Sequence, residues 1–312
     1  MTMKSYVDIV AAKGLSLDRL ASLVRFADTG SIVAAARRGA SGPSESDAAR
    51  QSLISRQLRE LGQFFGTELV RRKGRGLELT EAGRELAALA REHFKGLSDF
   101  AADRRDEPVG FSIAAPQSIL QWLVIPQLPA IMEAHPGIRW SLIHESTREI
   151  ARAVGEGQYD WGIMRESDAP STLERRRLGF VRWTLYVPEE LRADAKAVLA
   201  GRIGFPLALP LGGEVRRAID AWLTKKGGML ATPIDCTSYM QGAEALRTGR
   251  CAAILPHIAA RSLASLGVRE IALPIPSLRK PIALIWSRRM VATRPAAEGV
   301  LRTLAKLLGI RG

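Results

Sequence analysis

Cysteines and long apolar runs are scarce in this chain, and each scarcity excludes a class of protein. Two cysteines among 312 residues cannot build a disulfide framework or a four-thiolate zinc site. No window of about 18 uninterrupted apolar residues is present, and the N-terminus lacks the hydrophobic centre of a signal peptide. We therefore expect a soluble protein of the cytoplasm, with no contact to a membrane.

The motifs of several enzyme classes are missing as well. His135, His144 and His257 are not near a Gly-x-Ser-x-Gly elbow, and the sequence has no His-Glu-x-x-His run and no phosphate-binding Gly-Lys-Thr loop. The sequence therefore predicts a protein that is not an enzyme and that has no cofactor and no metal.

Length and charge indicate several domains and an anionic partner. The chain is longer than one hydrophobic core usually organises, and its 46% hydrophobic and 25% charged residues are ordinary for a globular protein. The net charge of +13 favours nucleic acid, a membrane surface or anionic ligands. Most of the positive excess lies beyond Pro108, so charge alone does not locate a nucleic-acid site.

The hydrophobic periodicity changes near residue 108. Helical spacing dominates residues 16–105, whereas short apolar runs alternate with amphipathic stretches from residue 109 onward. The charged run 103–107 and the helix-breaking Pro108 form the predicted boundary. We predict an N-terminal arm at 1–14, a small α-rich domain at 15–79, a connecting helix at 80–107, and a larger α/β domain at 108–312.

The first predicted domain begins with two helices. Leu17, Leu20, Val24 and Ala27 recur at helical spacing up to Thr29-Gly30, and Ser31 is a suitable N-cap for the next helix. Turn-forming residues then predict a loop from Gly39 to about Ala49, followed by a third helix from about Arg50.

The third helix has two contrasting faces. Ile54, Leu58, Leu61 and Phe65 form an apolar stripe, and the opposite face carries Ser52, Ser55, Arg56, Arg59 and Gln63. Arginine, serine and glutamine side chains suit phosphates and base edges in a major groove. A polar face can also simply be solvated, and the helix alone does not decide between the two interpretations.

A basic hairpin follows the third helix. Two short strands, ending at Val70 and beginning at Leu77, flank a glycine turn that carries Arg71, Arg72, Lys73 and Arg75. Such cations beside a recognition helix can bind the phosphates next to the groove. Together the segments predict a winged helix-turn-helix.

A long helix is predicted from Thr80 to about Asp103. Its apolar face follows an a, d, e pattern and carries Leu86, Leu89, Ala90, His93, Phe94, Leu97, Phe100 and Ala101. Pairing with a second copy would hold two DNA-reading heads at a fixed separation; the alternative is a helix lying on its own domain. We favour a homodimer or homotetramer, and expect His93 to be a packed side chain rather than a ligand.

The C-terminal two thirds predict two α/β lobes. Strands are expected at 111–115, 138–143, 161–164, 206–210, 251–255 and 281–286, and helices at 119–132, 149–154, 215–226, 238–248 and 296–308. This alternation predicts a mainly parallel sheet with a binding cleft between the lobes.

Three ordered motifs of the first domain resemble the N-terminal domain of LysR-type transcriptional regulators. They are Gly30-Ser31-Ile32, then Gln51-Ser52-Leu53-Ile54-Ser55-Arg56-Gln57-Leu58-Arg59-Glu60-Leu61, then Gly74 to Gly83 with its Leu-Thr-Glu-Ala-Gly ending. The long loop, Arg50 in place of serine and Ser52 in place of proline depart from the family pattern. The resemblance implies contacts with double-stranded promoter DNA through the third helix and the wing, including Arg50 and Gln51.

The C-terminal part is similar to the effector domain of the same family. Residues 143–146 with 156–163, and residues 245–256, carry this similarity. It implies an α-helical winged helix-turn-helix domain plus an α/β two-lobed, periplasmic-binding-protein-like effector domain. A small-molecule effector is then expected in the cleft near Gln117, Ser118, Glu145, Arg165, Gly213 and Ser238. Each of these could equally be an ordinary cap or loop residue, and Arg165 would favour an anionic, carboxylate-bearing effector.

Two alternatives remain open from the sequence. Some peroxide-sensing relatives use a cysteine pair in this domain, but Cys236 and Cys251 lie in apolar, strand-like contexts that are typical of buried thiols. The main rival to a regulator is a cytosolic α/β solute-binding protein or enzyme whose N-terminal helices mediate protein contacts.

Overall fold

The computed structural model describes residues 14–38, 46–74 and 76–310. The predicted N-terminal arm, apart from Gly14, and residues 39–45 of the predicted loop lie outside this part of the chain. The N-terminal elements are α1 (Leu17–Thr29), α2 (Ile32–Arg38), α3 (Asp47–Phe65), β1 (Val70–Lys73), β2 (Gly76–Leu79) and α4 (Glu81–Arg104).

Local capping residues set the ends of these helices. The Ser16 hydroxyl accepts a hydrogen bond from the Arg19 amide at 3.3 Å, and Gly30 ends α1 in the left-handed region at φ +64°. Helix α3 begins at Asp47, earlier than the predicted Arg50. The reason is the Ser46 hydroxyl, which accepts from the Ala49 amide at 3.3 Å.

One apolar core holds the N-terminal helices and the hairpin together. Leu23 and Phe26 of α1 pack with Leu58 and Leu61 of α3, and all four are buried. The sequence placed Phe65 on the same apolar stripe, but this prediction is wrong. The Phe65 side chain is 41% exposed and meets the ring of Phe64 edge-on. It is the last residue of α3, where the helix has passed the end of the core.

The C-terminal elements form one mixed sheet with helices on its faces. The strands are β3 (Val109–Ala115), β4 (Ile138–His144), β5 (Trp161–Arg165), β6 (Glu174–Pro188), β7 (Arg202–Pro210), β8 (Met229–Cys236), β9 (Ala252–Pro256), β10 (Val268–Ile271) and β11 (Arg279–Trp286). The helices are α5 (Gln117–Ile119), α6 (Leu128–Ala134), α7 (Thr147–Gly155), α8 (Ala195–Leu199), α9 (Gly213–Lys226), α10 (Tyr239–Arg247), α11 (Ala260–Leu263), α12 (Arg288–Thr293) and α13 (Ala297–Leu307).

The prediction of a mainly parallel sheet is wrong. The strand order is β4-β3-β5-β11-β6-β9-β7-β8, with β10 also paired to β6. Strand β3 is parallel to β4 and β5, and β7 is parallel to β8 and β9. Strands β6 and β11 are antiparallel to every strand they pair with, because they cross between two parallel units.

The predicted helix from Ile119 to Met132 is also interrupted. A π turn at Leu120–Val124 and a 3-10 turn at Ile125–Gln127 separate α5 from α6. Pro126 has no amide hydrogen to continue the α-helical bonding pattern, so the backbone changes its helix type there.

Two apolar cores define two lobes. Phe111, Trp161 and Leu284 belong to the core of the first lobe, and Leu207 and Ile254 to that of the second. Strand β6 runs through both, pairing with β11 through Glu174–Arg182 and with β9 through Trp183–Tyr186. The C-terminal part therefore has the two predicted lobes.

Candidate nucleic-acid interface and effector cleft

The outer face of α3 is polar and open to solvent. Ser52, Arg56, Arg59 and Gln63 are exposed, whereas Ile54, Leu58 and Leu61 are buried on the opposite side. Ser55 and Gln51 are half-buried, and the Ser55 hydroxyl donates to the Gln51 carbonyl at 2.9 Å. The predicted polar ridge is thus presented outward rather than packed against the protein.

The arginines on this ridge differ in their local partners. Arg56 lies 3.7 Å from the Glu60 carboxylate, one helical turn away. Arg19 of α1 lies 2.5 Å from the same carboxylate, so Glu60 is shared between two arginines and contacts Arg19 more closely. Arg59 is exposed and forms no ion pair within the described residues. It is therefore available to a partner outside the chain.

The cations of the hairpin β1–β2 differ in their ion pairs. Arg71 Nε lies 2.9 Å from Glu78 Oε1, and Lys73 Nζ lies 2.7 Å from Glu78 Oε2. These two cations hold the pKa of the Glu78 carboxyl below its usual range. Arg72 lies on the face of β1 opposite to that of Arg71 and Lys73, and it is exposed. Arg75 lies outside the described residues. Sequence reasoning missed Glu78, which lies directly opposite Arg71 across the hairpin.

A wide groove separates α3 from the hairpin. It has a volume of about 1000 Å³, and Ser55, Arg59 and Arg72 lie along it. Ser31 and Val33, at the start of α2, form another part of its wall. The groove therefore joins the helix face, the wing and the amino end of α2, which the sequence analysis did not include in the site.

Helix α4 presents an uncovered apolar strip. Leu89, Leu97 and Phe100 are 38%, 56% and 61% exposed, and His93 is also exposed in the single chain. The helix also packs closely on the C-terminal domain, where a Cβ at Gly96 would lie 2.6 Å from the Thr293 carbonyl. The helix therefore contacts its own effector domain and still has an apolar face for a second partner.

Buried charges line the contact between α4 and the effector domain. Lys95 Nζ contacts Asp160 Oδ1 at 2.7 Å, and Arg294 contacts both Asp99 and Asp160. Arg91 donates to the Asp28 carboxylate of α1 and to the Glu156 carbonyl. The same side of α4 thus links the N-terminal and the C-terminal domains, which the helical pattern of α4 alone did not predict.

The cleft between the lobes encloses about 220 Å³. Of the predicted effector contacts, Ser118, Arg165 and Gly213 line it. Gln117, Glu145 and Ser238 do not. Gln117 is exposed, Glu145 lies beside Tyr159, and the Ser238 hydroxyl caps α10 by accepting from the Gln241 amide at 3.2 Å.

Several cleft residues escaped the sequence analysis. The apolar wall includes Met164, Val181, Trp183, Tyr239 and Ile282, and the rings of Trp183 and Tyr239 are 6.2 Å apart. Burial raises the pKa of the Tyr239 hydroxyl. The wall also carries Glu214 and Lys280, and the Glu214 carboxylate contacts both Arg165 and Lys280.

The two cysteines are free and buried. Burial raises the pKa of both thiols, which disfavours the reactive thiolate. Within the described part of the chain, no cluster of histidine, cysteine and carboxylate side chains is suited to a metal ion. No described helix is long and apolar enough to cross a bilayer.

The geometry defines a class: a winged helix-turn-helix with a long connecting helix and a two-lobed domain that contains a cleft. The family model described as "LysR substrate binding domain" matches residues 110–308. The model described as "Bacterial regulatory helix-turn-helix protein, lysR family" matches residues 17–84. The chain belongs to the LysR family of transcriptional regulators, which confirms the predicted family and fold class and sets aside the enzyme alternative.

Two curated regulators match part of the chain. PtxR of Pseudomonas aeruginosa is 30% identical over 133 residues, which is 41% of this chain and 40% of PtxR. The uncharacterized regulator YnfL of Escherichia coli is 28% identical over 132 residues, or 40% of this chain and 43% of YnfL. These matches therefore span about two fifths of each relative's length.

Solved full-length regulators share the fold. ArgP of Mycobacterium tuberculosis has a TM-score of 0.68 at 18% identity, with 94% of this chain and 97% of ArgP covered. LysG of Corynebacterium glutamicum, solved with bound effector arginine, has a TM-score of 0.65 at 20% identity, with 96% and 100% covered. At these identities the likeness concerns the fold alone.

Proposed function

We propose that this chain is a ligand-responsive regulator that binds promoter DNA as a dimer or tetramer in the cytoplasm. The observation that carries the proposal is the outward ridge of Ser52, Arg56 and Arg59 on a helix whose other side buries Ile54, Leu58 and Leu61. A helix so mounted can enter a major groove without disturbing the domain core. The proposed DNA contacts are Arg50, Gln51, Ser52, Ser55, Arg56, Arg59, Arg71, Arg72, Lys73 and Arg75.

These residues divide into base-reading and phosphate-binding groups. Arg56 and Arg59 lie on the exposed ridge, where an arginine fork can bind the two acceptors of a guanine edge. Arg72 lies on the hairpin side of the groove, where it would bind phosphates and add affinity without reading sequence. Arg71 and Lys73 can bind phosphates only when their ion pairs with Glu78 are broken.

The uncovered strip of α4 is the proposed dimer contact. Leu97 and Phe100 are more than half exposed on a helix whose other side already has a partner. Burying large apolar side chains is favourable, and pairing α4 with its copy would fix the spacing of two DNA-reading heads. The proposed domain limits remain 1–14, 15–79, 80–107 and 108–312, with α4 as the connection.

The cleft is the proposed effector site. Its volume of about 220 Å³ lies below the roughly 300–1,000 Å³ of pockets that hold drug-sized ligands, which favours a small metabolite. Ser118, Arg165 and Gly213 are the retained contacts, and Gln117, Glu145 and Ser238 would contribute only if the lobes move. The arginine in the LysG structure supports a small-molecule effector in this fold.

A salt titration separates this proposal from its rival. The full-length protein is titrated into duplex DNA from the region upstream of its own gene, at increasing salt. Binding through several phosphates should weaken steeply, with the logarithm of the affinity falling linearly against the logarithm of salt concentration. Absence of binding to any part of that region, or affinity independent of salt, would contradict DNA binding through the ridge and the wing.

A further inference from the structure

The charged wall of the cleft contains a carboxylate that joins the two lobes. Glu214 lies in the first turn of α9, in the second lobe, and its Oε2 lies 2.5 Å from Arg165 Nη1 at the end of β5, in the first lobe. Lys280 Nζ, on β11, lies 3.3 Å from the same oxygen. Asp168 holds another nitrogen of Arg165 at 2.8 Å from within the first lobe.

The two cations of the wall are therefore already occupied. Lys280 and Arg165 hold the pKa of the Glu214 carboxyl below its usual range, so this side chain is charged at neutral pH. Among the described residues that line the cleft, Arg165 and Lys280 are the cations and Glu214 is the anion. A ligand carboxylate that binds between these two cations would compete with the carboxylate of Glu214.

Replacement is physically easy because the ion pairs are partly solvated. The side chains of Arg165, Lys280 and Glu214 are 33%, 30% and 47% exposed. Ion pairs at such exposure contribute little net stability, since solvent screens them and ordering long side chains costs entropy. An incoming carboxylate with an apolar body would keep the charge balance and also cover Met164, Trp183 and Ile282.

We propose that Glu214 is an internal competitor of the effector, and that the effector is a small monocarboxylate with an apolar body. Its carboxylate takes over Arg165 and Lys280 and releases Glu214, which removes a direct contact between the lobes. Ligand binding then shifts the population of molecules from an arrangement of the lobes bridged by Glu214 to one bridged by the ligand. This inference rests on the proposed effector function of the cleft.

Substitution of Glu214 tests the competition. The full-length protein and its Glu214→Gln variant are titrated calorimetrically with 3-methylbutanoate and with the neutral analogue 3-methylbutanamide. We expect the variant to bind the carboxylate at least tenfold more tightly than the parent, with no gain for the amide. Glu214→Asp, which keeps the charge, should lie between the two. Glu298→Gln, which removes a carboxylate paired with Arg302 on α13, is the matched control and should behave like the parent.

Three outcomes would overturn the inference. They are equal carboxylate affinity in the parent and Glu214→Gln, an equal gain for the amide, or no carboxylate binding by either protein. DNA binding by Glu214→Gln is measured in parallel at one salt concentration. If DNA binding persists while the expected gain is absent, the competition is wrong and the regulator function stands. Arg165→Gln is then added to the Glu214→Gln variant. If the double variant binds the carboxylate as tightly as Glu214→Gln alone, the cleft itself is not the effector site.

Discussion

Asp99 of the linker helix and Arg294 of the effector domain form a buried, two-point ion pair. Arg294 Nε lies 2.7 Å from Asp99 Oδ2, and Arg294 Nη2 lies 2.9 Å from Asp99 Oδ1. The remaining terminal nitrogen contacts Asp160 at 2.8 Å, and the guanidinium lies over the ring of Phe111 at 3.8 Å. This residue pair therefore fixes α4 on the domain that is proposed to bind the effector.

Removing the carboxylate of Asp99 should weaken this attachment. Asp99→Ala leaves a buried arginine with half of its anionic partners, and breaking a buried pair costs about 3 kcal/mol. All six tryptophans lie beyond Pro108, so urea unfolding followed by tryptophan fluorescence reports on the effector domain. Asp103→Ala, an exposed position on the same helix, is the control. Equal unfolding midpoints for both variants would show that the pair does not stabilise the domain.

A second prediction concerns the pH dependence of the same contact. Glu92 on α4 is 2% exposed, and neither of its carboxylate oxygens has a hydrogen-bond partner within the described residues. Arg91, Lys95, Asp160 and Arg294 are the charged groups that act on it. Burial raises the pKa of Glu92 to about 7, which means that the folded protein favours the protonated acid.

The raised pKa fixes the sign of the pH effect. Below pH 4.5 the carboxyl is protonated in both the folded and the unfolded states, so its burial in charged form does not lower the free energy of unfolding. Between pH 4.5 and about 7 the unfolded chain ionises first, so the free energy of unfolding falls by roughly 3 kcal/mol. Glu92→Gln should remove this loss, and its advantage over the parent should be greatest above pH 7. Glu85→Gln, exposed on the same helix, should retain the parent's profile. A constant difference between Glu92→Gln and the parent across pH 4.5–8 would contradict a raised pKa.

The exposed strip of α4 predicts the effect of charge on assembly. The double variant Leu97→Asp and Phe100→Asp should shift the protein to monomers in analytical ultracentrifugation, because two carboxylates would have to be buried in the paired helices. Ser98→Asp adds the same kind of charge at an exposed position outside the strip and should leave the assembly intact. Unchanged sedimentation of the double variant would place the dimer contact elsewhere.

The partners of Glu78 give a prediction for the wing. Glu78→Gln should release Arg71 and Lys73 and thereby strengthen binding to any duplex, while preference among sequences stays the same. The dependence of affinity on salt should steepen by about 0.9 for each added phosphate contact. Glu81→Gln, exposed at the start of α4, controls for loss of a negative charge nearby. If the slope is unchanged by Glu78→Gln, the two cations do not reach phosphates.

The sequence predicted the parts of the fold that depend on neighbouring residues. Helix α1 ends at the expected Gly30, and the hairpin turns where Gly74 and Gly76 indicate. Local pattern failed where distant strands decide the structure. Strand β6 was missed because its first half carries Arg175, Arg176 and Arg177, which are exposed and resemble a surface loop. Its strand conformation comes from pairing with β11, about a hundred residues further along.

The two candidate sites also differ in how far neighbouring residues determine them. The ridge on α3 lies within one helix, so periodicity alone predicts which side chains share a face. The cleft is assembled from β5, β6, β11 and the start of α9, and only the folded sheet brings Arg165, Glu214 and Lys280 together. Ser118 and Gly213, which the family resemblance placed near the cleft, line the pocket between the lobes. Ser238 was placed there on the same grounds, but its hydroxyl caps α10.

Direct reading of DNA by the α3 ridge is tested by a footprint. The full-length protein, Arg59→Ala and Arg302→Ala are compared by nuclease protection of the region upstream of the protein's own gene. Arg302 is an exposed arginine on α13, far along the chain from α3, and serves as the matched control. We expect Arg59→Ala to lose about 1–3 kcal/mol of affinity and to discriminate poorly at one base position, while Arg302→Ala protects the same sequence as the parent. Protection by Arg59→Ala at the parent's concentration and sequence would contradict direct reading by this helix.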